Sequence, residues 1–417
     1  MIFNSVDFAL FLPVVFVIYW VIGNNQIKWQ NILLVAASYF FYGWWDWKFI
    51  SLIFFSSIID FLIGHQLSIA NTPKIRKLLL VASLVTNLGL LFFFKYFNFF
   101  VDSFYDAFSF FGHPLSHDSL HIILPVGISF YTFQTLSYTI DIYKRQITPT
   151  KDPIAFFAFV SFFPQLVAGP IERASNLLPQ FTIKRKIDYS NFVEGMQDIL
   201  WGLFKKVVIA DRLAVVVNEI YNNQSEYQGL SFVMATILFA FQIYCDFSGY
   251  SKIAIGVSKL FGFRLMENFR TPYYALSLGD FWRRWHISLS TWFKDYLYIP
   301  LGGNRTKVYR NLLITFVVSG LWHGANWTFV AWGAIHGIFL IMEYSLRLKS
   351  TSNPILIFLR CILTFSVVCF GWIFFRANSI QDAISIITSI SDISIYSIKQ
   401  LSLNLVPVVK NSVYPID

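Results

Sequence analysis

Charge is scarce in this chain. Only 13% of its 417 residues are Asp, Glu, Lys or Arg, against roughly 25% in a soluble domain. A chain so poor in charge cannot cover a water-facing surface of its own size. Cysteine is scarcer still. Cys245, Cys361 and Cys369 all lie in apolar stretches and form no CxxC pair. A disulfide framework and a thiolate metal centre are both excluded on that ground. The sequence also lacks a GxSxG elbow, an HExxH helix, a P-loop and a GxGxxG turn between strand and helix. It has no repeat at solenoid spacing and no low-complexity linker.

What is present in excess is apolar and aromatic. Hydrophobic residues make up 56% and aromatics 19%, with 47 Phe and 13 Trp. Such rings suit lipid contact and the belts where membrane helices end. Length alone would suggest two or three soluble domains, but the apolar runs override that prior. They imply one all-α, polytopic membrane bundle over residues 1–376, followed by a separate segment, 377–417. The N-terminus, MIFNSVDFALFLPVVFVIYW, has no basic leader and no small-residue cleavage site. It predicts a retained first transmembrane helix rather than a signal peptide.

A helix rising 1.5 Å per residue needs about 20 residues to cross a ~30 Å hydrocarbon core. Candidate spans are 6–23, 31–45, 48–66, 77–97, 119–140, 230–250, 327–346 and 355–376. Segment 311–325 runs directly into the next span, predicting a tight hairpin around Gly324-Ala325-Asn326. Segment 154–170 contains Pro164 and ends in Ala168-Gly169-Pro170, which fits a re-entrant element covered by protein. The total comes to about ten crossings plus re-entrant and interfacial helices. Parity requires 195–217 to cross too, although it carries Lys205, Lys206, Asp211 and Arg212. These groups must pair inside the bundle, or the helix must tilt into the interface. The tail, rich in Ile and Ser, reads as an amphipathic extracytoplasmic segment.

The net charge of +9 follows the loops. Lys74, Arg76 and Lys77 fall in one loop, and Lys144, Arg145 and Lys151 in another. Residues 251–310 hold ten Lys/Arg against Glu267, Asp280 and Asp295, whereas 98–120 and 218–229 hold none. This alternation puts the basic loops in the cytoplasm and the N-terminus outside. It also explains the basic balance without nucleic acid, for which no basic stripe with interleaved exposed aromatics exists.

An ionisable side chain in a membrane segment is costly and points to function. His323, in SGLWHGANW, falls about 12 residues into a helix starting near Arg310, a little past mid-bilayer. A neutral imidazole there can take a proton from a hydroxyl and return it. Gly320 and Gly324 would let a substrate or another helix come close. The bland alternative is a packing histidine. His286 lies in a stretch of mixed Trp, Arg and His that reads as cytoplasmic-side helices dipping into the bundle. Arg283 and Arg284 beside it suit the phosphates of a nucleotide-bearing donor, or else form an interfacial anchor. Gly302-Gly303-Asn304 is too short for a phosphate cradle.

His336 is expected to be a satisfied bundle histidine. Asp60, Gln134 and Asp246 are expected to make interhelical hydrogen bonds. His113, His117 and His121 have helical metal-site spacing, but Gly112 and Pro114 interrupt it and no carboxylate is fixed nearby, so no metal is expected.

Two stretches, FWRRWHISLSTWFKDYLYIPLGGNR and SGLWHGANWTFVAWGAIHG, closely resemble the membrane-bound O-acyltransferase family, and within it the membrane subunit of bacterial alginate O-acetyltransferases. MIFNSVDFALFLP, GISFYTFQTLSYTIDIY, FFPQLVAGPIER and YCDFSGYSKIAIG extend the resemblance over about residues 1–385. The resemblance implies that His323 is the catalytic histidine and His286 a second functional one. It implies tilted helices around a thinned centre pierced by a tunnel. Acetyl-CoA would enter from the cytoplasm, and a polysaccharide acceptor would approach from outside with an extracytoplasmic partner protein. It places the chain in the bacterial inner membrane. Relatives of this type usually continue into at least one more membrane helix, which leaves three readings of the end at Asp417: a truncated chain, a naturally short one, or one completed by a partner. Peptidoglycan O-acetylation and teichoic acid D-alanylation are same-class alternatives. A transporter or channel with proton-relaying histidines is the rival class, although no inverted repeat with paired broken helices supports it.

Overall fold

The computed structural model describes residues 1–23, 25–110, 120, 122–346 and 351–391. Among these the chain is all-helical, with no strand. Its helices are α1 (Val6–Ile22), α2 (Ile27–Gly43), α3 (Ile50–Ile69), α4 (Pro73–Phe110), α5 (Ile128–Tyr143), α6 (Pro153–Ser161), α7 (Phe163–Leu166), α8 (Ala174–Leu177) and α9 (Tyr189–Leu203). There follow α10 (Asp211–Asn222), α11 (Leu230–Leu260), α12 (Leu278–Arg284), α13 (Ile287–Phe293), α14 (Val308–His323), α15 (Trp327–Leu346), α16 (Pro354–Arg376) and α17 (Ile380–Ile390). They pack as two units, Met1–Leu200 with Ser251–Met266, and Trp201–Tyr250 with Glu267–Asp417.

Among the described residues, five stretches are long and apolar enough to cross a membrane: Trp47–Ile69, Pro73–Phe108, Leu230–Leu260, Trp327–Leu346 and Pro354–Arg376. The apolar helices Val6–Ile22, Pro153–Leu166 and Ile380–Ile390 are shorter. The five agree with expected spans, but the expected total of about ten is not reached on length and apolarity. The solvent these helices are built for shows on α16. Ile355, Phe358, Leu359, Ile362 and Leu363 are exposed, whereas Thr364, Cys369 and Trp372 are buried. An apolar outer face of this extent suits lipid rather than water.

Several boundaries moved, each for a local reason. The span expected at 119–140 becomes helical only at Ile128, after Gly127 at φ +75. A Cβ at Gly127 would stand 2.6 Å from the Leu166 carbonyl, so the left-handed turn also needs the missing side chain. α4 continues to Phe110, well beyond residue 97. Its 38 residues would measure about 57 Å, far more than the hydrocarbon core. The 154–170 element breaks at Phe162 into α6 and α7 and is buried from Ala158 through Leu166, as a re-entrant segment requires. Asp152 caps α6 through the N–H groups of Ile154 and Ala155 ahead of Pro153.

In the first unit, the polar groups inside apolar helices find one another. Asp60 of α3 is fully buried and accepts from Ser83 Oγ at 2.6 Å, Asn87 Nδ2 at 2.8 Å and Thr139 Oγ1 at 3.2 Å. Gln134 donates to the Phe159 carbonyl at 2.7 Å and exchanges amide bonds with Gln165. Arg76 donates to the carbonyls of Leu67, Ile142 and Tyr143, covering the C-terminal ends of α3 and α5. α11 runs ten residues past the expected end at 250, because its later charges are neutralised. Lys252 and Lys259 meet Asp198 at 3.0 and 2.9 Å, and Lys259 also meets Glu194.

The troublesome 195–217 stretch is helical throughout: α9, a π-helical turn over Phe204–Ala210, then α10. Pairing is the device it uses, since Lys206 meets Asp211 at 2.7 Å and Asp246 at 2.5 Å. Asp246 thus forms the interhelical contact expected of it, as an ion pair. The second unit closes on an aromatic core that includes Phe239, Phe281, Trp285, Trp332 and Trp372. α17 is capped by Ser379 and delivers Ala383 and Ile386 into that core. Residues 392–417 of the tail lie outside the described residues.

Candidate functional site

The second unit gathers the candidate residues on α12 to α16. α14 and α15 form the expected hairpin. Its closeness depends on Gly320, where a Cβ would overlap the Phe329 carbonyl, and on Gly333, where one would overlap the Phe316 carbonyl. These glycines therefore serve helix–helix approach. His323 is the last residue of α14, which starts at Val308, two residues before the expected start near Arg310. It is half-buried where the hairpin turns. Its ring centroid lies 5.1 Å from Trp322, 5.0 Å from Trp332 and 5.3 Å from Phe375.

His286 sits between α12 and α13 with a left-handed backbone, φ 43 and ψ 55. For a residue with a branched, bulky side chain this conformation costs on the order of 1 kcal/mol or more. The ring is 1% exposed. Phe247 meets it edge-on at 4.6 Å and Phe269 stacks at 6.5 Å. Neither ring nitrogen has a hydrogen-bond partner. The His286 and His323 centroids are 6.4 Å apart. Two histidines 37 residues apart in sequence are thereby brought to one place.

A cavity of about 300 Å³ is lined by residues that flank the two histidines in sequence, and neither histidine is part of its wall. Its wall includes Trp282, Arg283, Ile287, Lys294, Phe316 and Ser319. Ser319 is one helical turn before His323, and Ile287 directly follows His286. Arg283 is 74% exposed in its side chain and stands 3.8 Å from Asp280, so it remains available at the cavity wall. Arg284 does not line the cavity. Its Nε donates to both Asp280 oxygens at 3.1 Å.

His336 is walled by Trp282 at 5.2 Å and Trp332 at 5.0 Å, with α16 against it at Gly371. It is a bundle histidine as expected, but packing holds it, because neither nitrogen is hydrogen-bonded. The Trp332 ring is in contact with both His323 and His336, at 5.0 Å from each. Gly302 and Gly303 adopt positive φ in the turn before α14, where Asn311 Nδ2 donates to the Gly303 carbonyl at 3.0 Å. Among the described residues no group of His, Cys, Asp or Glu is placed to hold a metal ion. His113, His117 and His121 lie outside the described residues. The cysteines are free thiols.

Sequence reasoning passed over Glu343 and Asn268. Glu343 of α15 accepts from the backbone N–H of Leu278 at 2.6 Å and of Gly279 at 3.2 Å, anchoring the start of α12. Its position in an otherwise apolar span was the available signal. Asn268 holds the turn after His286, and only tertiary structure reveals that.

Comparison with known proteins identifies the family. The membrane-bound O-acyltransferase family profile matches residues 144–381, which include both site histidines. The alginate O-acetylase AlgI of Pseudomonas aeruginosa is 42% identical over 92% of this chain and 73% of its own length. The peptidoglycan O-acetyltransferase of Helicobacter pylori is 37% identical, covering 96% of this chain and 82% of its own. The teichoic acid D-alanyltransferase of Streptococcus thermophilus is 31% identical over 55% of this chain and 59% of its own. With its helices, its histidine pair and these relatives taken together, the chain is a multi-pass membrane O-acyltransferase and belongs to the membrane-bound O-acyltransferase family.

Proposed function

We propose that this enzyme moves an acetyl group from cytoplasmic acetyl-CoA to hydroxyls of an extracytoplasmic polysaccharide. The observation that carries the reading is the His323–His286 pair, with Arg283 on the wall of a cavity that also takes in the flanking residues Ile287 and Ser319. His323 takes the proton of the attacking hydroxyl. The oxygen adds to the thioester carbonyl, and the neutral His286 ring donates an N–H to the developing oxyanion. The carbon–sulfur bond then breaks, and the CoA thiolate leaves with the proton held on His323. A centroid separation of 6.4 Å lets His323 reach the attacking hydroxyl while His286 reaches the carbonyl oxygen of the same thioester. An extracytoplasmic partner protein works with this chain in bringing the glycan hydroxyl to the site. The relatives named for alginate and peptidoglycan act on glycans, which supports a polysaccharide acceptor.

Arg283 meets the phosphates of the CoA nucleotide, and the slender pantetheine arm occupies the cavity. Arg284 is carried in this reading as a supporting cation, held by Asp280. Arg283→Ala is expected to raise the KM for acetyl-CoA about three- to tenfold, a charge-assisted contact weakened by exposure, with kcat little changed. Saturating acetyl-CoA should restore the rate. A fall in kcat at unchanged KM would remove Arg283 from donor binding.

The proposed orientation has residues 251–310 facing the cytoplasm and 98–120 facing outside. Thr306 and Asp106 are exposed and serve as reporters. In a cysteine-free background, Asp106→Cys is expected to react with an impermeant maleimide in intact cells, and Thr306→Cys only after permeabilisation. The reverse pattern would overturn the donor side.

A further inference from the structure

We infer that Asn268 is a positioning residue for His286, holding the turn on which that histidine is presented. The inference rests on the reading of His286 as a working part of the site. His286 has a left-handed backbone, an uncommon and costly conformation outside glycine that is held here by its surroundings. The restraint comes from the segment 268–270. The Arg270 N–H donates to the Arg284 carbonyl at 2.9 Å, and the Ile287 N–H donates to the Asn268 carbonyl at 3.0 Å. One bond thus falls on each side of His286.

The Asn268 side chain completes the clip. Its Oδ1 accepts from the Ser288 N–H at 3.2 Å and from Ser288 Oγ at 2.9 Å. Asn268 is 1% exposed and Ser288 fully buried, so water does not compete for these bonds. The next residue, Phe269, stacks on the His286 ring. One short segment therefore fixes both the backbone and a face of the imidazole. The side-chain oxygen is the working atom. A residue at 268 of similar volume without an acceptor would fill the space and still release the start of α13. The histidine would relax towards an ordinary backbone conformation, and its ring nitrogens would turn away from the reacting carbonyl.

The test compares Asn268→Leu, which keeps the volume and lacks the acceptor, with Asn268→Asp, which keeps acceptor oxygens. Initial rates of transfer from radiolabelled acetyl-CoA are measured in inside-out membrane vesicles, with folded protein quantified by size exclusion in detergent. Asn268→Leu is expected to lower kcat by about 10²-fold, the scale of a small misplacement, with the acetyl-CoA KM within about twofold. Asn268→Asp should stay within about tenfold of wild type. The deciding readout is the pair Asn268→Leu/His286→Ala, expected to be no slower than His286→Ala alone. If Asn268→Leu does not yield folded protein, Ser288→Ala replaces it. That variant removes one of the two donors, and should lower kcat several-fold and be silent in the His286→Ala background. A further tenfold loss in either double variant, or a wild-type rate in the singles while His286→Ala is inactive, would overturn the positioning role alone. A wild-type rate in His286→Ala would overturn the site reading beneath it.

Discussion

Replacing His323 with alanine is expected to lower acetyl transfer by about 10²–10⁴-fold, the contribution of a positioned general base. Membrane insertion and folding should survive. The imidazole ends α14 rather than filling its interior, and it is only half-buried, so truncation opens the site without emptying a core. Rings on several sides remain to hold the hairpin turn, among them Trp322, Trp332 and Phe375. Raising acetyl-CoA should not rescue the variant, in contrast to Arg283→Ala, because chemistry rather than ground-state binding is lost. The measurement is O-acetyl released from surface glycans by mild base, set against the amount of folded protein in the membrane. Wild-type acetylation at normal expression would remove His323 from the mechanism.

Gly320→Val should be nearly as damaging, through structure. Its Cβ would overlap the Phe329 carbonyl, and backbone cannot swing aside as a long side chain does. Overpacking of this kind costs about 1–3 kcal/mol, occasionally more, and two further methyl groups must also be housed. His323 is only three positions further along the same helix, so a shift of α14 against α15 displaces the base itself. Acetylation is expected to fall below a tenth of wild type, with a lower melting temperature in detergent. Gly89→Ala is the control, since nothing lies within 4 Å of the added Cβ and alanine favours a helix. A Gly320→Val protein as stable and active as wild type would mean that the α14–α15 approach is not needed.

Much of this was legible in the residues themselves. The hairpin around Gly324-Ala325-Asn326 and five spans follow from apolar runs and a small-residue turn, which report burial directly. Asp60 and Gln134 were predictable as interhelical donors and acceptors because apolar surroundings leave no alternative. The end of α11 was not, because Lys252 and Lys259 look like loop charges until Asp198 and Glu194 are seen beside them. The helix that carries His323 begins at Val308, two residues before the start near Arg310 that the sequence suggested. The left-handed backbone of His286 leaves no local trace, since its restraint comes from Asn268, 18 residues earlier. Arg284 looked equivalent to Arg283 in sequence. Asp280, at i+4 spacing, bonds it through Nε at 3.1 Å, while Arg283 stands 3.8 Å away from the same carboxylate.

The central claim is that acetyl leaves cytoplasmic CoA and passes through a site built on His323. The direct measurement supplies radiolabelled acetyl-CoA to sealed inside-out and right-side-out vesicles containing the enzyme, its partner protein and the acceptor glycan. Label is expected in the glycan from inside-out vesicles only, and is expected to be lost with His323→Ala. Label appearing only from right-side-out vesicles, or equal label with His323→Ala, would contradict the account.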